Sequence, residues 1–164
     1  MEVWYDHGHS APGVPGAVGK LKAWFGPKYA QGGILADMDI AVVERDSGRA
    51  RALIEIEETS SKPKLLLGDV LATLLGHAVM FQGKRSLLVG TYTTLIVLAK
   101  GGGSAQDQRL SYLQGQINQL KASLDTPNAA IGQVVLDLFQ DEPDLNKKLR
   151  EQIASALRRA GDDY

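Results

Sequence analysis

Residues 34–58 read Ile-Leu-Ala-Asp-Met-Asp-Ile-Ala-Val-Val-Glu-Arg-Asp-Ser-Gly-Arg-Ala-Arg-Ala-Leu-Ile-Glu-Ile-Glu-Glu. Two apolar runs, Ile34–Glu44 and Arg51–Glu58, flank the turn signal Asp46-Ser47-Gly48. Too few residues separate them for a crossover helix, so they are expected to pair as an antiparallel hairpin. A turn centred on Ser47 pairs residues whose numbers sum to 94, which sets Asp39 opposite Glu55 and Asp37 opposite Glu57. Side chains alternate between faces along a strand. The even-numbered face (Ile34, Ala36, Met38, Ile40, Val42, Ala52, Ile54, Ile56) is apolar throughout and belongs to a core. The odd-numbered face is apolar near the turn, at Ala41, Val43 and Leu53. Away from the turn it carries four carboxylates: Asp37, Asp39, Glu55 and Glu57. A bulge of one residue would change these partners.

Like charges opposed on a sheet are destabilising, and Asp is a poor strand former. Open water, basic partners or a bound divalent cation must compensate. A hard cation such as Mg²⁺ takes oxygen ligands, commonly one or two carboxylates completed by water and substrate phosphates. Asp39 and Glu55 have the chemistry and, in this register, the separation to share one ion, Mg²⁺ or Mn²⁺. Glu57, on the same face, could position or deprotonate an attacking water. The plainer reading is a solvated hairpin end with scattered acids.

Before the hairpin, residues 7–19 are a Gly/Pro-rich loop, and Ala17–Phe25 is expected to form one or two helical turns stopped by Gly26-Pro27. After it, Ser61 is expected to cap a helix with Pro63 at an early position, running to about Phe81 with a broad apolar face. Ser86–Ala99 reads as one central buried strand. Beyond Gly101-Gly102-Gly103 the composition shifts. Leu110, Leu113, Ile117, Leu120 and Leu124 form a narrow heptad seam, and Ala129–Gln140 and Asp144–Ala160 read as two more amphipathic helices. The expected organisation is an α/β core over residues 1–100 and a helical C-terminal extension over 104–164, packed on the core or forming a homodimer contact.

A length of 164 residues is that of one compact domain with a real core. The formal net charge of −1 excludes a binder that holds nucleic acid by bulk positive charge, and the lack of Cys excludes disulfides, thiol catalysis and Cys-ligated zinc. No run is long enough for a signal peptide or a membrane span, so a soluble, cytoplasmic protein is expected.

Asp39-Ile-Ala-Val-Val, a short loop, then Leu-Ile-Glu55-Ile-Glu57 resembles the core of the PD-(D/E)XK nuclease superfamily, the restriction-endonuclease-like fold. That signature is an Asp entering a strand, followed by an acid, one spacer and usually a Lys. The resemblance covers residues 17–99. It implies a mixed β-sheet flanked by helices, in the order helix, three strands, helix, strand, although one core strand is not evident here. It implies Mg²⁺-dependent hydrolysis of phosphodiesters, in DNA, with Asp39 and Glu55 as metal ligands and Glu57 as the third active-site residue. Glu57 stands where most members carry Lys, a change some restriction endonucleases share. Lys62 and Lys64, just downstream, could return a cation to the site as relocated lysines do, and Asp37 could assist.

The alternatives are a catalytically inactive nucleic-acid-binding module using Lys62, Lys64, Lys84 and Arg85, and an interaction protein acting through its C-terminal helices. His7 and His9 lack a third ligand. Asp69 faces either the acids or a local polar pair. Arg49 and Arg51 read as solvated, and the tyrosines and Trp4 and Trp24 as core residues rather than a stacking platform.

Overall fold

The computed structural model describes residues 1–6, 17–18, 21–24, 34–58, 62–81, 84–88, 93–123 and 131–161. In chain order the elements are β1 (Glu2–Asp6), β2 (Ala17–Val18), β3 (Leu21–Trp24), β4 (Ile34–Met38), β5 (Ile40–Val43), β6 (Arg49–Glu57), α1 (Pro63–Leu74), β7 (Ala78–Phe81), β8 (Lys84–Leu88), β9 (Thr94–Lys100), α2 (Ser104–Ser123), β10 (Gln133–Phe139) and α3 (Glu142–Gly161). The protein is a mixed α/β fold in which one mixed sheet is flanked by three helices.

The hairpin forms in the expected register. Ile40 faces Ile54, Ala41 faces Leu53 and Val42 faces Ala52, after which a bulge moves Val43 onto Ala50. Gly48, at φ 65°, supplies the left-handed residue that the turn requires. β1 pairs antiparallel with β5 on the side away from β6. It is a core strand that the sequence pattern did not reveal. On the other side of β6, β9 runs parallel to it, and β10 runs parallel to β9. The middle of the sheet is therefore β1-β5-β6-β9-β10, in which β5 alone is reversed. β2 pairs parallel with the end of β1, and the other strands form a second wing: β8 pairs with the first residues of β6, β7 with β8, β3 with β7 and β4 with β3.

Both faces of the central sheet are covered. Ala41, Val43, Leu53, Leu95 and Val97 pack under α1 and α2, which contribute Leu66, Val70, Leu74 and Ile117. Val42, Ala52, Ile54, Ile96 and Leu98 pack under α3, which contributes Leu145, Leu149, Ile153, Ala156 and Leu157. The apolar part of the odd-numbered face is thus core, as is the even-numbered face beyond Asp39.

Several expectations are corrected. Ala17–Phe25 is not helical: β2 and β3 occupy it, and Leu21 and Ala23 are fully buried on one side of a four-residue strand. The helix expected to reach Phe81 ends at Leu74, and the apolar run continues as β7. Its N-cap is Lys62, with Pro63 following and no side-chain cap; Ser61 lies outside the described residues. Ser86–Ala99 falls on two strands, β8 and β9, which pair with successive parts of β6 and otherwise with β7 and β10 respectively. Ala129–Gln140 is not a helix, because Gln133–Phe139 forms β10. Residues 104–164 are consequently not a purely helical extension, since they add a strand to the sheet of the first hundred residues. The seam residues Leu110, Leu113 and Ile117 pack on the protein's own core; Leu124 lies outside the described residues. Arg51 is not solvated but buried, 1% exposed, with Nη2 2.9 Å from both carboxylate oxygens of Glu44.

Candidate functional site

Asp39 is the single residue between β4 and β5, and the chain bends there. Before the bend the chain pairs with β3; after it, with β1 and β6. The bend also resets the alternation of faces, so that Met38 joins Ala41 and Val43 in one core cluster. Beyond Ile40 and Ile54 the β5–β6 ladder stops, because β4 has turned away. The amide of Ile56, which the ladder leaves over, donates to Asp39 Oδ2 at 2.6 Å. On the other side, the amide of Asp6, at the end of β1, donates to the carbonyl of Asp39 at 2.8 Å. Asp39 is thereby held at both its backbone and its side chain.

Across the gap, Glu55 donates from its carboxyl to Asp39, so the two share a proton. Burial is the largest cause that pushes Glu55 up, to about 10, followed by the charge of Asp39 and the hydrogen bond to it. Asp39 is also raised, by burial first; the hydrogen bonds from Ile56 and Glu55 pull it back. Four further acids act on the pair, Asp69 and Asp37 at Glu55 and Asp6 and Glu57 at Asp39. Asp69, on α1, adds to the field at Glu55, and its own carboxyl is raised by burial and then by Glu57 and Asp39. Asp6 raises Asp39 from the β1 side. Asp69 thus lies within electrostatic reach of the acids. Asp6 was missed because the strand that carries it was missed.

Asp37 is not opposite Glu57. It pairs with Lys22 of β3, Nζ to Oδ1 2.9 Å, and lies exposed at the outer face of that ribbon. Glu57 sits at the end of β6, two residues beyond Glu55, and its charge reaches Asp39 and Asp69. Lys62 and Lys64 are exposed at the start of α1. Lys84 and Arg85 belong to β8, and His7 and His9 lie outside the described residues.

The site gathers where β1 and β6 end, outside the carboxyl ends of parallel strands, the place where open α/β sheets bind ligands. Among the described residues no three Asp, Glu or His side chains form a ready ligand set for a metal. The pair that does meet, Asp39 and Glu55, forms no ion pair with a Lys or Arg among the described residues. Its donor chemistry suits a hard divalent cation. A shared proton holds together two oxygens that a cation could hold instead, and water and substrate supply the remaining ligands of Mg²⁺. No helix among the described residues is long and apolar enough to cross a membrane. Compared with family models, curated proteins and solved structures, the chain matches none of them.

Proposed function

We propose that this chain is a divalent-metal-dependent nuclease that hydrolyses phosphodiester bonds in DNA at the Asp39–Glu55 pair. The observation that carries the reading is the pair itself: two carboxyls brought into contact by strand register, partly buried, with no cationic partner among the described residues. A sheet selected for stability alone would not place them there. The path of the chain supports the same reading. Three adjacent strands, β1, β5 and β6, each antiparallel to its neighbour, are followed by α1 and then by β9, parallel to β6. That order resembles the three-strand, helix, strand order that the PD-(D/E)XK resemblance implies, if β1 is taken as the strand missing from the sequence pattern and β2–β4 and β7–β8 as additions to it. The helix expected to precede those strands is not found among the described residues.

Asp39 and Glu55 would hold Mg²⁺ or Mn²⁺. Bound there, the ion would stabilise charge on a phosphate and lower the pKa of a bound water. The Ile56 amide fixes the Asp39 carboxylate at the end of β6, so that its oxygens need no reorganisation. Glu57, on the same strand end, is placed to accept a proton from water or to orient it. Asp6 and Asp69 add negative charge that favours a cation at the pair.

A second reading is a catalytically inactive module of the same fold that binds nucleic acid, favoured by Glu57 in the position where the family carries Lys. One experiment separates the two. Wild type, Asp39→Asn and Glu55→Gln are titrated with Mn²⁺ and assayed on labelled DNA. The nuclease reading expects Mn²⁺ binding at millimolar concentration or below, and a loss of cleavage of roughly 10²-fold or more in each variant, as for a charge-stabilising ion worth several kcal/mol. Binding of DNA without cleavage in Mg²⁺ or Mn²⁺ would identify the inactive module.

A further inference from the structure

The sheet face under α3 is covered unevenly. α3 packs over β6, β9 and β10. Towards β1 the same face opens into a groove of about 540 Å³, within the size range of small-ligand clefts. Its floor is apolar: Val3 and Tyr5 of β1, Ile40 of β5 and Ile56 of β6. Val3 is 52% exposed, unusual for a valine beside a core. At one end the groove is bounded by Asp39, one member of the carboxyl pair, and by Glu57; Glu55 is not part of its lining. Asp6 and Glu58 supply further acceptors along its wall.

Resting on the nuclease reading above, we propose that this groove seats one unpaired nucleobase of the substrate, so that the site acts on single-stranded nucleic acid. A nucleotide carries its phosphate one sugar away from its base. A base on this floor therefore lies beside Asp39, where its own phosphodiester would be presented to the metal that Asp39 helps to hold. The flat apolar floor with one tyrosine ring matches the face of a base, which stacks on aromatic side chains irrespective of sequence. The wall selects the same part of the ligand. Carboxylates repel a phosphate but accept hydrogen bonds from ring and exocyclic N–H groups, the edge that cytosine and guanine present. In a duplex that edge is paired and the face is stacked. A base must be out of the helix to enter a pocket floored by a sheet.

The test uses the whole chain in Mn²⁺, with a labelled oligonucleotide offered single-stranded and as the matching duplex. Wild type is expected to cleave the single strand at least about ten times faster at low substrate concentration. Tyr5→Ala is expected to raise KM for the single strand by roughly 5- to 150-fold, the stacking worth of one base, while Mn²⁺ affinity stays unchanged. Tyr5→Phe restores KM, which separates loss of the ring from loss of fold. Val3→Glu, at an exposed position that tolerates a charge, raises KM in the same way. Equal cleavage of duplex and single strand, with KM unmoved in Tyr5→Ala and Val3→Glu, overturns the groove proposal and leaves the nuclease reading standing. Absence of both Mn²⁺ binding and cleavage in wild type overturns both.

Discussion

Glu55→Gln should stabilise the metal-free protein at neutral pH and remove much of its loss of stability on the alkaline side. In the folded chain Glu55 is raised from 4.5 to about 10, chiefly by burial and then by the charge of Asp39. Between those limits the folded state holds a proton that the unfolded state releases. The sign follows from linkage: where the folded state binds more protons, raising the pH favours unfolding. The group's contribution is fully favourable below pH 4.5 and is lost progressively as pH climbs towards 10. One proton corresponds to at most about 1.4 kcal/mol per pH unit, so from pH 5 to pH 8 the loss reaches at most about 4 kcal/mol. Glutamine has nearly the same shape, keeps a donor for Asp39 and does not titrate. The assay is urea unfolding of wild type and Glu55→Gln at unit steps from pH 5 to pH 9 in a chelator. Groups that do not touch Glu55 titrate equally in both proteins, so the difference between the two slopes reports Glu55 together with the Asp39 carboxyl coupled to it. Wild type should fall more steeply with pH, and Mn²⁺ should flatten its curve by replacing the proton. Identical slopes for the two proteins would refute the argument that Glu55 is buried against Asp39.

Glu44→Ala should cost about 3 kcal/mol in urea unfolding, because it strips the buried Arg51 guanidinium of its carboxylate. Arg45→Ala, which breaks the Arg45–Glu2 pair at a 69% exposed side chain, should cost less than about 1 kcal/mol. Gln114→Ala should cost about 1–3 kcal/mol and promote concentration-dependent association measured by light scattering. The Gln114 amide bonds both Val134 O and Leu136 N on the outer edge of β10, at 3.0 and 2.7 Å, and Lys121 and Lys148 cover the Gly132 and Leu138 carbonyls beside them. Ile117→Asp should destabilise the monomer fold by more than about 4 kcal/mol in circular dichroism melts, since Ile117 is 1% exposed. A folded Ile117→Asp protein that merely changed its elution volume would mean instead that the seam is an intermolecular contact.

The closeness of Asp39 and Glu55 depends on short-range geometry. Asp46-Ser47-Gly48 sets a tight turn, and a tight turn sets the register, so Asp39 facing Glu55 could be counted off. The bend at Asp39 could not be counted. Nothing local distinguishes a strand that continues through Asp39 from one that changes partners there, and only the change of partner sends Asp37 to Lys22. The helical reading of Gln133–Phe139 failed for a related reason. Val134, Leu136 and Leu138 face one helix layer while Val135 and Phe139 face another, so both faces are apolar and period two is masked. The run from Leu65 to Phe81 is apolar throughout and reads as one helix, yet it divides at Leu75–His77, where β7 begins its own pairing with β3 and β8.

Chain chemistry alone determined that this protein has two strands joined by a tight turn, acids at the open end of that hairpin, and helices near residues 104–124 and 144–160, which the structure bounds at 104–123 and 142–161. Tertiary structure alone decided which acids meet. Asp6 and Asp69 join Asp39 and Glu55 from β1 and α1, and Asp37 pairs with Lys22 of β3 while its charge still reaches Glu55. The physical reason is that pairing across one short turn is a local property, whereas the field at a carboxyl sums every charge and every desolvating neighbour that the complete fold brings near it.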